Sequence, residues 1–135
     1  MPPTFTPEDI LKEVRKDVLK VFGRTVEARV KVAPLNPSIL GFVRAGEDLI
    51  YVNSVPISQV EQEYLSQYLY VVILHEYLHM LGIADEREVR RMTLDLVNER
   101  FGERSFAYKM ASELADWRDI YLRESWRRGR PQTYM

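Results

Sequence analysis

The sequence predicts an α+β domain. It should hold a small mixed β-sheet of about three strands packed against one long apolar helix, with a backing N-terminal helix and two C-terminal helices. Val26, Ala28, Val30 and Val32 alternate with Glu27, Arg29 and Lys31, the period-two pattern of a strand with one face in a core and one in water. Tyr68-Leu69-Tyr70-Val71-Val72-Ile73-Leu74 is apolar nearly all round, as in a helix that runs through an interior with a sheet on one side and helices on the other. Helix start and stop signals bracket three further amphipathic stretches.

Thr6 is placed to cap a first helix with Pro7 at its first position. Ile10, Leu11, Val14, Val18, Val21 and Phe22 form its buried stripe before Gly23. The strand over 26–32 follows. Pro34 and Pro37 break the chain before two further strands, 39–44 and 48–53, joined through Ala45-Gly46-Glu47-Asp48 as a hairpin. Ser58 is the expected cap of the long helix reaching Leu81, Asp85 starts another ending near Phe101-Gly102, and Ser105 opens a last one running to about Arg127. No repeat, low-complexity tract or linker divides the 135 residues. They read as one domain, with a core over 6–101, a C-terminal helix over 105–127 and a tail over 128–135.

A chain of this length removes about two thirds of its unfolded surface from water and needs no covalent staples. It has no cysteine, which excludes disulfides and thiolate metal sites and leaves histidine and carboxylate as metal ligands. The N-terminal Met1 to Pro7 lacks a basic region followed by an apolar one, and the apolar run Tyr68 to Leu74 is too short to span a bilayer. The expectation is a soluble cytoplasmic protein with no membrane partner. A net charge of −1 argues against wholesale nucleic-acid binding, although five arginines against two acids follow from position 118 onward. A solvated helix face and tail accounts for that excess.

His75-Glu76-Tyr77-Leu78-His79 carries the chemistry, and its histidines are the only two in the chain. At i and i+4 the imidazoles stand on one helical face with Cβ atoms roughly 5–6 Å apart, so both reach one tetrahedral zinc ion. Glu76 lies about 100° round the helix, beside the metal rather than on it, where a carboxylate can take a proton from a zinc-bound water. H-E-x-x-H arises by chance on the order of a few times per thousand chains of this length. Here it is embedded in uncharged residues, with Gly82 where the helix can end. The alternative is a pair of core histidines satisfied by backbone, with Glu76 on a solvated face. The tyrosines at 64, 68, 70 and 77 read as core packing with peripheral hydroxyls rather than as a ligand platform.

A backing helix, a small mixed sheet, an H-E-x-x-H helix and a following acidic helix resemble the zincin metallopeptidases, and the short chain is similar to minimal gluzincin- or metzincin-type members. The order of elements matches over roughly 6–101, and the specific part runs from His75 to about Glu88. The resemblance implies that His75 and His79 bind zinc, that Glu76 is the general base and acid, and that the reaction is hydrolysis of a peptide bond. The metal shares the developing oxyanion and the proton returns to the leaving amine. A tyrosine or arginine is implied as further oxyanion support, and a peptide or protein substrate is implied to pair with an edge strand beside the active-site helix. A weaker similarity is to the H-x3-H-x5-H endoribonucleases of ribosomal RNA maturation. Glu76 stands where those carry a small residue, and Asp85 replaces their third histidine. A third reading is a non-catalytic zinc-stabilised interaction module.

For the third protein ligand the sequence offers Asp85, Glu86 and Glu88. Asp85 has the spacing of metzincin-like sites and Glu88 falls within that of gluzincin-like ones, but Asp85-x-x-Glu88 is also a capping-box-like arrangement. With Asp85 engaged as the cap, Glu88 is the longer arm toward the metal. Glu88 is therefore preferred, Asp85 follows, and Glu86 ranks third. The tail Pro131-Gln132-Thr133-Tyr134-Met135 is extended and apolar-ended. It reads either as a disordered terminus or as a segment that lies in its own or a neighbour's cleft.

Overall fold

The computed structural model describes residues 5–113 and the short strand Thr133–Tyr134. Helix α1 spans Pro7–Phe22 and opens as the sequence dictates. The Thr6 side chain accepts the Asp9 N–H, and Asp9 in return accepts from the Thr6 N–H, a closed capping box. Its buried face is Ile10, Leu11, Val14 and Val18. Val21, expected in that stripe, is 61% exposed, because it lines an open groove between the end of α1 and the helix over 86–101.

Strands β1 (Arg29–Ala33), β2 (Gly41–Arg44) and β3 (Leu49–Asn53) form a mixed sheet, completed by the two-residue β4 (Thr133–Tyr134) in the order β1-β3-β2-β4. β2 and β3 are the expected antiparallel hairpin, whereas β1 pairs parallel to β3. β1 begins later than its alternation implied, and Val32 is 40% exposed. Of the alternating set, Ala28 is the fully buried member. Asn53, itself buried, accepts the Leu35 and Val55 N–H groups and donates to the carbonyls of Asn36 and Ile39. That clip ties the proline-broken loop to the end of β3.

The long helix starts later than expected. Asn53, not Ser58, is the first cap here, and it opens a single turn, α2 (Ser54–Ile57). The Ser58 hydroxyl donates back to the Val55 carbonyl and closes that turn. A 3₁₀ turn at Gln62–Tyr64 then leads into α3 (Leu65–Met80), in which every residue from Tyr68 to His79 is buried. α4 (Glu86–Phe101) and a fifth helix, α5, described over 106–113, follow. Ser105 caps α5 by accepting the Tyr108 N–H, and the expected continuation to about Arg127 lies outside the described residues.

α1 and α3 pack together, α3 lies against β2 and β3, and α4 covers α3. The core is one continuous cluster through all of them. Among the described residues no helix is long and apolar enough to cross a membrane.

Candidate metal centre

α3 is committed to the interior by its own composition, so whatever polar groups it carries between Tyr68 and His79 are buried with it. His75 and His79 are each 5% exposed and Glu76 is 0% exposed. The bland alternative, with Glu76 on a solvated face, is therefore not what the chain adopts. Tyr77 points elsewhere: its hydroxyl accepts the Val26 N–H at 2.9 Å and donates to the Val26 carbonyl at 3.0 Å. The Tyr70 hydroxyl likewise donates to Asp17. Both tyrosines are core residues with anchored hydroxyls, as the sequence suggests.

α3 ends in a motif that turns the chain back on the histidines. The Gly82 N–H donates to the His79 carbonyl at 3.0 Å and the Ile83 N–H to the Leu78 carbonyl at 3.3 Å, the paired bonds of a Schellman cap. Gly82 takes φ +106, which a side chain would resist. Arg24 adds a hydrogen bond to the Leu81 carbonyl at 2.9 Å. The turn brings the Ile83 carbonyl within 2.9 Å of His79 Nδ1. A carbonyl only accepts, so Nδ1 carries the proton and fixes the ring orientation.

α4 then begins one step later. Asp85 is its N-cap and accepts the Arg87 N–H at 2.9 Å. Glu86, at the first helical position, is 6% exposed and brings its two carboxylate oxygens to the two imidazoles. His75 Nε2 lies 2.5 Å from Oε1 and His79 Nε2 lies 3.1 Å from Oε2. One ligand atom from each of the three residues falls within 4.8 Å of the others. Glu88 points away: its side chain is 46% exposed, with Arg91 at 4.0 Å. The preferred order of third ligands is thus corrected. Asp85 caps, Glu88 faces solvent, and Glu86, ranked last, joins the histidines.

The phase of α4 explains the correction. Its inward residues are Val89, Thr93, Leu96 and Val97. At about 100° per residue, Glu86 continues their stripe toward the N-terminus, whereas Glu88 falls roughly 120° off it. The length of the Glu88 arm does not make up for that rotation. The stripe, extended by one turn, was the available signal.

The donor set fits a divalent cation. With Nδ1–H of His79 engaged, its Nε2 faces the carboxylate either as a lone pair or as the second N–H of an imidazolium. Two imidazole nitrogens and a carboxylate converge in a buried space, the N and O donor types a divalent ion takes, and tetrahedral donors around a zinc-sized ion stand about 3.3 Å apart. Burial alone pushes the Glu86 carboxyl up, but the hydrogen bonds and charge of His75 and His79 outweigh it and bring the group down to about 2. The first turn of α4 favours the same anionic form.

Glu76 leaves the helix toward β2. A Cβ built on Gly41 would come within 3.6 Å of Glu76 Cγ, 2.9 Å of Val72 Cγ1 and 2.7 Å of the Tyr51 carbonyl. Gly41 is therefore the residue that lets β2 lie directly against this face of α3, a close backbone approach of the kind a glycine inside a strand signals. Sequence reasoning used that glycine only as part of a strand. Compared with protein-family models, curated proteins and solved structures, the chain matches none.

Proposed function

We propose that this chain is a zinc-dependent metallopeptidase that hydrolyses peptide bonds of a peptide or protein substrate. The observation that carries the reading is the fully buried Glu76 set between two histidines whose Nε2 atoms converge on Glu86. A structural metal module has no use for a second, non-ligating buried carboxylate at that position, whereas a hydrolase does. His75, His79 and Glu86 are the residues that would hold the ion, and His79 is kept in register by Ile83. Zinc held by these residues would supply a Lewis acid and would lower the pKa of water there to about 7.

Glu76 accepts the proton of the attacking water and returns it to the leaving amine, the two halves of one general acid and base role. Its burial strengthens each of these electrostatic interactions relative to water. The absence of cysteine from the sequence keeps the site free of thiolate ligands, consistent with a catalytic rather than a closed structural donor set.

The test is metal analysis of the purified chain, followed by parallel incubation with an unstructured protein and with a single-stranded RNA. The expected result is one equivalent of zinc, cleavage of the protein substrate, loss with chelator and recovery with zinc. Chelator-sensitive cleavage of the RNA with the protein left intact would replace this reading by the nuclease one.

A further inference from the structure

The outer edge of β2 is occupied by a segment of the chain distant in sequence. Within the hairpin the Leu40 carbonyl accepts the Asn53 N–H at 2.9 Å, and the register continues as Gly41 to Val52, Phe42 to Tyr51 and Val43 to Ile50. In an antiparallel ladder the residues that bond to one neighbour alternate with those that bond to the other. Leu40 and Phe42 therefore face β3, and Gly41 and Val43 turn their backbone N–H and C=O groups toward the opposite edge. β4 pairs on that edge, antiparallel, with Tyr134 opposite Val43 and Thr133 opposite Arg44. It runs toward Gly41, whose backbone lies against Glu76. Two residues of extended chain, ~7 Å, separate the Val43 pairing from that point.

We propose that residues 133–134 are the resident occupant of a peptide-docking edge on β2 and must leave before any other extended peptide can dock there. Strand addition to an open sheet edge draws its affinity from main-chain hydrogen bonds and is indifferent to most side chains. A segment of the same chain therefore competes with any incoming peptide for the same Val43 groups. Its advantage is effective concentration rather than fit, because a tethered strand rebinds intramolecularly. The pairing itself stands on backbone register alone, and only its consequence for catalysis rests on the peptidase reading. There, the occupied edge raises the substrate concentration needed for turnover and leaves the turnover step untouched.

The decisive measurement is amide hydrogen exchange at Val43 in the full chain, in Tyr134→Pro and in Tyr134→Ala. Proline removes the N–H opposite Val43, and alanine keeps it. Val43 should exchange at least tenfold faster in Tyr134→Pro and at the original rate in Tyr134→Ala. A labelled synthetic peptide of residues 131–135 should bind Tyr134→Pro at least tenfold more tightly than the full chain and restore protection at Val43. Unchanged Val43 exchange in Tyr134→Pro overturns the proposal. Protection that falls on tenfold dilution of the full chain also overturns it, by assigning the strand to a second copy. Neither readout needs metal or cleavage, so a failed peptidase assay and a failed docking edge are told apart.

Discussion

Two polar clusters hold α4, one at each end, the C-terminal one tying it to α1 and α3 and the N-terminal one to α3, and they follow opposite electrostatic plans. At the C-terminal end, Arg100 donates to Asp17 at 2.9 Å and to Glu13 at 3.1 Å, and the Tyr70 hydroxyl donates to the same Asp17 oxygen. The guanidinium also stacks over the Tyr70 and Phe101 rings. Donors meet acceptors, and the side chains of Arg100 and Glu13 keep 32% and 41% of their surface. At the N-terminal end, two imidazole nitrogens and a carboxylate converge with 6% exposure or less. The first cluster is complete as protein. The second gathers the side-chain atoms of a candidate metal centre, so α4 has a structural tie at one end and a candidate functional site at the other.

The largest expected effect separates the two ends. His79→Ala and Glu86→Gln should each lower zinc affinity by orders of magnitude, read by metal content after dialysis, while Arg100→Ala should leave it unchanged. Glu88→Gln should also leave it unchanged, and a loss there comparable to Glu86→Gln would reject the assignment of Glu86. Next in size, Glu76→Gln should keep the metal and the melting temperature while reducing peptide hydrolysis by about 10²–10⁴-fold, the usual contribution of a general acid or base. If it loses zinc as completely as His79→Ala, Glu76 is a ligand and not a base.

Smaller effects belong to the structural end. Arg100→Ala leaves Asp17 and Glu13 without their shared cation and should cost about 1–2 kcal/mol by chemical denaturation, a modest figure because the cluster is partly solvated. Burial first, then the hydrogen bond to Asp17 and its charge, push the Tyr70 hydroxyl well above its ordinary 10, with Arg100 opposing in part. A group whose folded pKa is raised contributes its full stability below the unfolded value and loses it as pH rises toward the folded one. The wild-type chain should therefore lose stability above pH 10 more steeply than Tyr70→Phe, in denaturation series run from pH 8 to 11. The smallest effect is expected for Asp85→Ala, about 1 kcal/mol for a lost N-cap, with zinc affinity intact.

Much of this molecule follows from local rules. The Thr6 capping box, the hairpin 41–53, the Asp85 cap and the all-round apolar α3 depend on residues a few positions apart, where helical and strand periods act directly. His75, Glu76 and His79 belong to the same class, since i, i+1 and i+4 on one helix have a fixed relation whatever surrounds them. The late start of α3 and the exposure of Val32 were less legible. Both are decided by neighbours: Asn53 clips the loop across many residues of sequence, and β1 is the edge strand among the described residues, with one flank that no described strand covers.

The fold class, the helix that carries the two histidines and the position of Glu76 between them follow from the sequence alone, because spacing along one element sets direction and face. Only the tertiary structure decided the third donor and the occupant of the β2 edge. Glu86 rather than Glu88 meets the histidines because the Gly82 turn and the packing of Val89, Thr93 and Val97 on α3 set the rotation of α4. The pairing of Tyr134 with Val43 joins residues far apart in the chain. Strand pairing at such separation has no period to read, because it is chosen by which sheet edge remains open once the helices are in place.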